Sequence, residues 1–268
     1  MKFLPSILFI LLSFILVGCN SNGPGPRRSS IITKKVEVFG LYIYATDTTG
    51  DDKLLHAANI LAEYIDNDED GIPDNPKIFK ALIEGRGAIV MRKTDRERIT
   101  GRHPEGQGLY DEETVPNAKT QGRFDASLEE VLHMVTDVGW AGAYPSVFGR
   151  EPGTEISNAL DKARGGRFEV VPQRYPDDAW FTYYDETCDY DCQNSEYIYW
   201  VLTSILGAQD FPGRYEQIKD EWRLNTKKKV QQGDPAAYEL FTNPKYKLPT
   251  VLPDGKYRAK TFTIQKYP

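Results

Sequence analysis

The alternation of apolar and polar positions divides the chain into short strands and amphipathic helices. Residues 36–45 (Val-Glu-Val-Phe-Gly-Leu-Tyr-Ile-Tyr-Ala) are rich in β-branched and aromatic side chains and predict a strand, with Gly40 marking a bulge or a close backbone approach. Residues 53–65 set Leu54, Ala58, Leu61 and Ile65 at helical spacing, so one face of that helix is apolar. A shorter helix over 77–84 follows Pro76 and stops at Gly85-Arg86-Gly87, after which 88–92 reads as a second strand. Residues 100–123 are mostly polar with Gly and Pro punctuation, a long surface loop with a short strand near Leu109 and Tyr110.

The second half is more helical. Residues 127–139 predict a central helix that begins at Ser127 and ends on a glycine cap at Gly139. Residues 156–163 predict another helix, and 175–184 form an aromatic-rich extended segment. Asn194 reads as the N-cap of an apolar helix over 195–206 stopped by Gly207, and 215–228 and 234–241 are further helices. The alternation in 257–264 predicts a closing strand. Together these elements predict a single α+β domain over residues 31–268, mainly helical with a small sheet, and no internal repeat.

The first residues follow another pattern. Met1-Lys2 is a short basic start, and the apolar run that reaches Val17 is shorter than the roughly 20 residues a spanning helix needs. Leu16-Val17-Gly18-Cys19 at its end resembles the lipobox of bacterial lipoprotein signal peptides. That resemblance implies removal of residues 1–18, acylation of Cys19, a lipid membrane as partner and an extracytoplasmic place in the bacterial cell envelope. Residues 19–30 are dominated by Gly, Pro, Ser and Asn and read as a flexible tether.

Bulk composition narrows the function classes. The formal net charge is −6 and no basic run exceeds Lys227-Lys228-Lys229, which argues against a nucleic-acid-binding surface. Cys188 and Cys192 stand four apart, in a compartment where disulfides persist, and predict a local disulfide; a cysteine zinc site would need partners the chain lacks. No nucleophile-elbow sequence occurs for a serine hydrolase.

The strongest chemical signal lies in the central helix. Glu129, Glu130 and His133 fall within one turn, so Glu129 and His133 at i and i+4 share a face and can hold one cation, with Asp137 one turn further. Two bland readings compete: a capping box in which Ser127 and Glu130 satisfy the helix start, and a hydrogen-bonded core histidine. Glu129-Glu130-Val131-Leu132-His133 resembles the H-E-x-x-H helix of zinc peptidases of the gluzincin kind, with glutamate in place of the first histidine. The resemblance implies Glu129 and His133 as metal ligands, Glu130 as the base that activates water, and Glu196 on a later helix as third ligand. It implies zinc or another divalent transition metal, and a peptide or polymer substrate. A carboxylate in place of an imidazole makes bound zinc a weaker Lewis acid, so manganese, iron or an inactive site are alternatives.

A second cation site is written into the loop after the 53–65 helix. Asp66, Asp68 and Asp70 at positions one, three and five, Gly71 at six, the Ile72 carbonyl at seven and Asp74 at nine follow the EF-hand calcium pattern, and Lys77 breaks it at twelve. The loop resembles the short calcium repeats of thrombospondin type 3 modules and dockerins; a solvated acidic turn is the competing reading. Calcium-loop residues 51–85 and metal-site residues 125–207 thus form two regions of the domain. Two functions follow as expectations: an envelope-anchored metallohydrolase-like lipoprotein, or a non-catalytic calcium-stabilised surface protein that binds a partner. Of the other histidines, His56 reads as a boundary residue able to reach His133 if the two helices pack, and His103 as part of a solvated loop.

Overall fold

The computed structural model describes residues 28–268. Strand β1 (Ser29–Ser30) leads into β2 (Ile32–Val38), which turns at Phe39 and Gly40 into antiparallel β3 (Leu41–Thr46). Both turn residues have positive φ, 52° and 86°, which suits the right-handed twist of a two-residue hairpin. The single strand expected over 36–45 is therefore a hairpin, and Gly40 supplies its turn rather than a bulge. Ser29 and Ser30, assigned to the tether from sequence, belong to the fold. The signal peptide, Cys19 and tether residues 19–27 lie outside the described residues.

After the hairpin, α1 (Asp51–Ile65) buries its expected stripe of Leu54, Ala58, Leu61 and Ile65. Helix α2 (Pro76–Glu84) starts where Asn75 accepts from the amides of Lys77 and Ile78, with Pro76 in the first turn. Strand β4 (Ala88–Arg92) then pairs parallel with β3, β5 (Arg98–Ile99) parallel with β1, and β6 (Gln107–Tyr110) parallel with β4. With β7 (Gln265–Lys266) on the far side of β2, the main sheet runs β6-β4-β3-β2-β7. The closing strand predicted over 257–264 does not form there: those residues are irregular, Tyr257 and Phe262 pack into the core, and only Gln265 and Lys266, just beyond them, join the ladder.

The helices that follow cover the sheet and each other: α3 (Ser127–Met134), a π-helical stretch (Val135–Trp140), α4 (Ala141–Ala143), α5 (Pro145–Phe148), α6 (Glu155–Ala163), α7 (Tyr190–Leu206), α8 (Arg214–Ile218), α9 (Lys227–Gly233) and α10 (Pro235–Phe241). One apolar core links them, from Val36 in β2 to Phe262 near the end of the chain. The architecture is the mainly helical α+β domain with a small mixed sheet that the patterning predicts. Among the described residues no helix is long and apolar enough to cross a membrane.

Three boundaries differ from expectation. Gly139 does not cap the central helix: the chain stays helical through Trp140 to Ala143, and a Cβ at Gly139 would lie 2.9 Å from Leu82 Cγ. The glycine is there so that α2 can approach. Helix α7 begins at Tyr190, with Asp189 accepting from the Cys192 amide as its N-cap, so Asn194 lies inside the helix and is fully buried. The Cys188–Cys192 disulfide closes that first turn. The helix expected over 215–228 breaks in two, because Trp222 is buried and its backbone bridges to Phe181. The helix predicted over 234–241 forms as α10, with Asp234 as its N-cap, and α7 stops at Gly207 as predicted, where φ is 85°.

Candidate metal centre

Helices α3 and α7 pack against each other, and their facing turns bring three ligand-type side chains to one point. His133 Nε2 lies 3.5 Å from Glu196 Oε1 and 4.0 Å from Glu129 Oε1, and a donor atom from each residue lies within 4.8 Å of the other two. Ligand atoms about 2.1 Å from a shared tetrahedral cation sit roughly 3.4 Å apart, so small side-chain rotations suffice to close the set around an ion. The chemistry fits too: one imidazole and two carboxylates are a normal donor set for a divalent transition metal. This cluster could hold a metal ion; its identity is not fixed by the donors.

The charges point the same way. Burial alone would lower the His133 pKa, but the Glu196 hydrogen bond and the charges of Glu196, Glu129 and Glu130 push it up to about 10. Burial, and then the neighbouring Glu196, holds Glu129 well above the usual carboxylate range. A quarter of the Glu129 side chain still reaches solvent, which leaves the cluster an open side. The surroundings thus stabilise positive charge between the two helices. Without a metal, a protonated histidine serves; a divalent cation answers the same field more fully. His133 Nδ1 is buried without a protein partner, so the acceptor that usually orients a ligating histidine is not supplied by a side chain.

Glu130 is held from the sheet. Its Oε2 accepts from Gln107 Nε2 of edge strand β6 at 2.6 Å. Burial raises its pKa, with His133 and Gln107 opposing. It caps nothing: the residue at the N-cap is Ala126, Ser127 Oγ is buried without a partner, and the helix start is held by Asp125 Oδ1, which accepts from the Ser127 and Val115 amides. The capping-box reading of Ser127 and Glu130 is overturned. Asp137 is not part of the cluster either, since it accepts from Ser195 Oγ at 2.6 Å and Arg150 Nη1 at 3.1 Å.

More acids surround the centre than the motif reveals. Glu221, at the end of the turn after α8, accepts from Trp200 Nε1 at 2.7 Å; burial raises its pKa to about 7, with Glu196 adding to the rise. Glu113 is raised to about 7 by burial and then by Glu130. Tyr183 faces Glu196, Glu221 and Glu129, and its pKa is raised by burial first and then by these charges. No spacing rule singles out Glu221, Glu113, Tyr183 or Gln107, because each arrives from a different element. His56 does not reach His133: its Nε2 bonds Asp125 Oδ2 at 2.6 Å, with both side chains buried. His103 is exposed, its Nδ1 within 2.9 Å of the Pro104 carbonyl.

In the acidic loop, Asp66, Asp68 and Asp74 converge as a second group able to hold a cation, while Asp70 Oδ1 is taken by the Ile72 amide. Gly71 has φ 92°, the left-handed turn that position six of the motif requires. Buried Asp66 accepts from the amides of Asp70 and Gly71 and from the Tyr257 hydroxyl. Asp74 accepts from the Asn67 amide, and burial and the charges of Asp68 and Asp66 raise its pKa. Compared with known proteins, the chain matches no family model, no curated protein and no solved structure.

Proposed function

We propose that this chain is an envelope-anchored lipoprotein whose domain is a metallohydrolase-like protein, with a divalent transition metal held by Glu129, His133 and Glu196. The observation that carries this reading is the convergence of those three donors within 4.8 Å from two separate helices. A bound divalent cation would supply Lewis-acid polarisation of a carbonyl and of a water molecule. Glu130, beside the cluster and raised by burial, has the placement and proton affinity of a general base for attack on an amide. Gln107 fixes the carboxyl's direction through its 2.6 Å bond. Calcium at Asp66, Asp68 and Asp74 braces the far end of α1.

Two observations favour a second reading, a non-catalytic calcium-stabilised surface protein that binds a partner. Glu130 is already bonded to Gln107, and a carboxylate replaces the first motif histidine, both of which weaken water activation. Metal content of the purified full chain, measured by mass spectrometry beside His133→Ala, separates the two. A transition metal near one per chain that vanishes in the variant supports the hydrolase reading, and peptidase assays with Glu130→Gln then test turnover. Calcium alone, unaltered by the substitution, overturns it.

A further inference from the structure

We propose that the arginine-lined cleft beside β1 and β5 is the membrane-facing site of the domain, and that it binds the phosphates of anionic lipid headgroups. The inference rests on reading Cys19 as the acylated residue. The cleft measures about 390 Å³ and is lined by Arg92, Arg96, Arg98, Ile99 and His103 together with two acids, Asp95 and Glu97. It is built on the pairing that receives the N-terminal segment: Arg98 N donates to the Arg28 carbonyl at 3.0 Å, and β1 lies parallel to β5. Arg28, Arg96, Arg98 and Arg102 are all exposed on this edge.

The two acids in the lining offset only part of this charge, since Arg28, Arg92, Arg96 and Arg98 outnumber them. Glu97 is buried and occupied by the Thr48 hydroxyl at 2.6 Å and the Lys93 amide at 2.5 Å. Asp95 reaches only Arg96, at 4.0 Å. Arg92 stacks on the Tyr110 ring, 4.9 Å from its centroid, and donates Nη2 to the Tyr110 hydroxyl, which leaves its Nε buried without a partner. In a chain of net charge −6 this is a concentrated positive face. Ile31, next to β1 and 53% exposed, adds an apolar contact of the kind an interface accepts.

Position selects lipid over a soluble anion. Arg28 follows Cys19 by nine residues, so even a fully extended chain spans at most about 30 Å. The edge carrying the arginines is thus the part of the domain held nearest the bilayer, within reach of the negative surface potential. Three arginines at such a surface bias a docked orientation by about a hundredfold.

The test uses the full acylated chain on vesicles of phosphatidylcholine alone and of equal parts phosphatidylcholine and phosphatidylglycerol, read by amide hydrogen exchange. Slower exchange across residues 92–103 on the anionic vesicles only is the expected result. It should be lost in Arg96→Gln/Arg98→Gln/Arg102→Gln and kept in the matching triple lysine variant. Equal exchange on both vesicles overturns the proposal while anchoring stays intact. The same slowing with inorganic phosphate and neutral vesicles also overturns it, in favour of a soluble anion. Failure of labelled palmitate to enter the chain, lost otherwise in Cys19→Ala, overturns the lipoprotein reading independently.

Discussion

His133 Nε2 and Glu196 Oε1 face each other at 3.5 Å across the contact of α3 and α7, and among the described residues no other side chain ties those two helices together by charge so directly. In chelator, protonated His133 is the positive charge that faces Glu129 and Glu196. Replacing the histidine removes the counter-charge from this crowded carboxyl pair, which is the costly way to break a buried ion pair. We expect His133→Ala to lose about 3 kcal/mol in urea unfolding with chelator present, the low end for a buried pair because Glu196 and Glu129 are partly exposed. Glu196→Gln, which keeps the hydrogen bond, should lose less. Equal losses would remove the charge argument.

The acidic loop should respond to calcium through Asp68 rather than Asp66. Asp66 already accepts three hydrogen bonds from Asp70, Gly71 and Tyr257, so its removal damages the fold with or without an ion. Asp68 is exposed and accepts only from the Asp70 amide. Calcium at a hundred times its dissociation constant should stabilise the full chain by about 2.7 kcal/mol, seen as a rise in Tm. Asp68→Asn should fold normally and lose that rise; an unchanged rise would place the ion elsewhere.

Stability should fall as pH climbs through the neutral range because of Glu63. Burial pushes this carboxyl up from 4.5 to about 8, against the amides of Gly255 and Lys256 that favour its ionised form. Below about pH 4.5 it is protonated in folded and unfolded chains alike. Between 4.5 and 8 the folded state keeps a proton that the unfolded chain releases, so its contribution to stability is lost across that window. Glu63→Gln should flatten the decline of Tm between pH 5 and pH 8. A variant with the wild-type slope would assign the dependence to other groups.

Gly255 is the most constrained glycine of the tail. Its φ is +74°, and a Cβ there would lie 2.1 Å from Nδ1 and Cε1 of the buried His56 ring. The ring cannot swing away without leaving Asp125, 2.6 Å from its Nε2. Gly255→Ala should therefore cost about 3 kcal/mol, combining overpacking with left-handed backbone strain. Gly213→Ala, also at positive φ but with nothing within 4 Å, should cost only the strain. Thermal melts of both variants at one pH make the comparison.

The elements that were legible in the sequence are those whose own periodicity decides them. Leu54, Ala58, Leu61 and Ile65 specify α1 because a helix must hide one face, and the Glu129–His133 spacing puts both on one side of any helix drawn through them. The pairing of Glu129 and His133 with Glu196 was anticipated from a motif's logic. Glu221, Gln107 and Tyr183 were not, because only the packing of separate elements carries them there. Boundaries failed where tertiary contact overrides local chemistry. Gly139 looks like a helix stop but is a packing site for Leu82, and Asn194 has the composition of an N-cap but lies inside α7. The hairpin at Phe39 and Gly40 was hidden because apolar residues run unbroken through the turn.

The tail ties down the acidic loop along its whole length. Asn67 bonds the Thr250 and Val251 amides, Glu63 the Gly255 amide, Asp66 the Tyr257 hydroxyl and Glu69 the Arg258 amide, while β7 pairs with β2. These partners are separated by more than 180 residues of chain. During synthesis from the N-terminus, the residues that fasten this loop are made more than 180 residues after it, and closing so long a loop is slow. Vectorial emergence therefore leaves the acidic loop unlatched until residues 250–266 have followed it out, so its closure trails the folding of α1 rather than accompanying it.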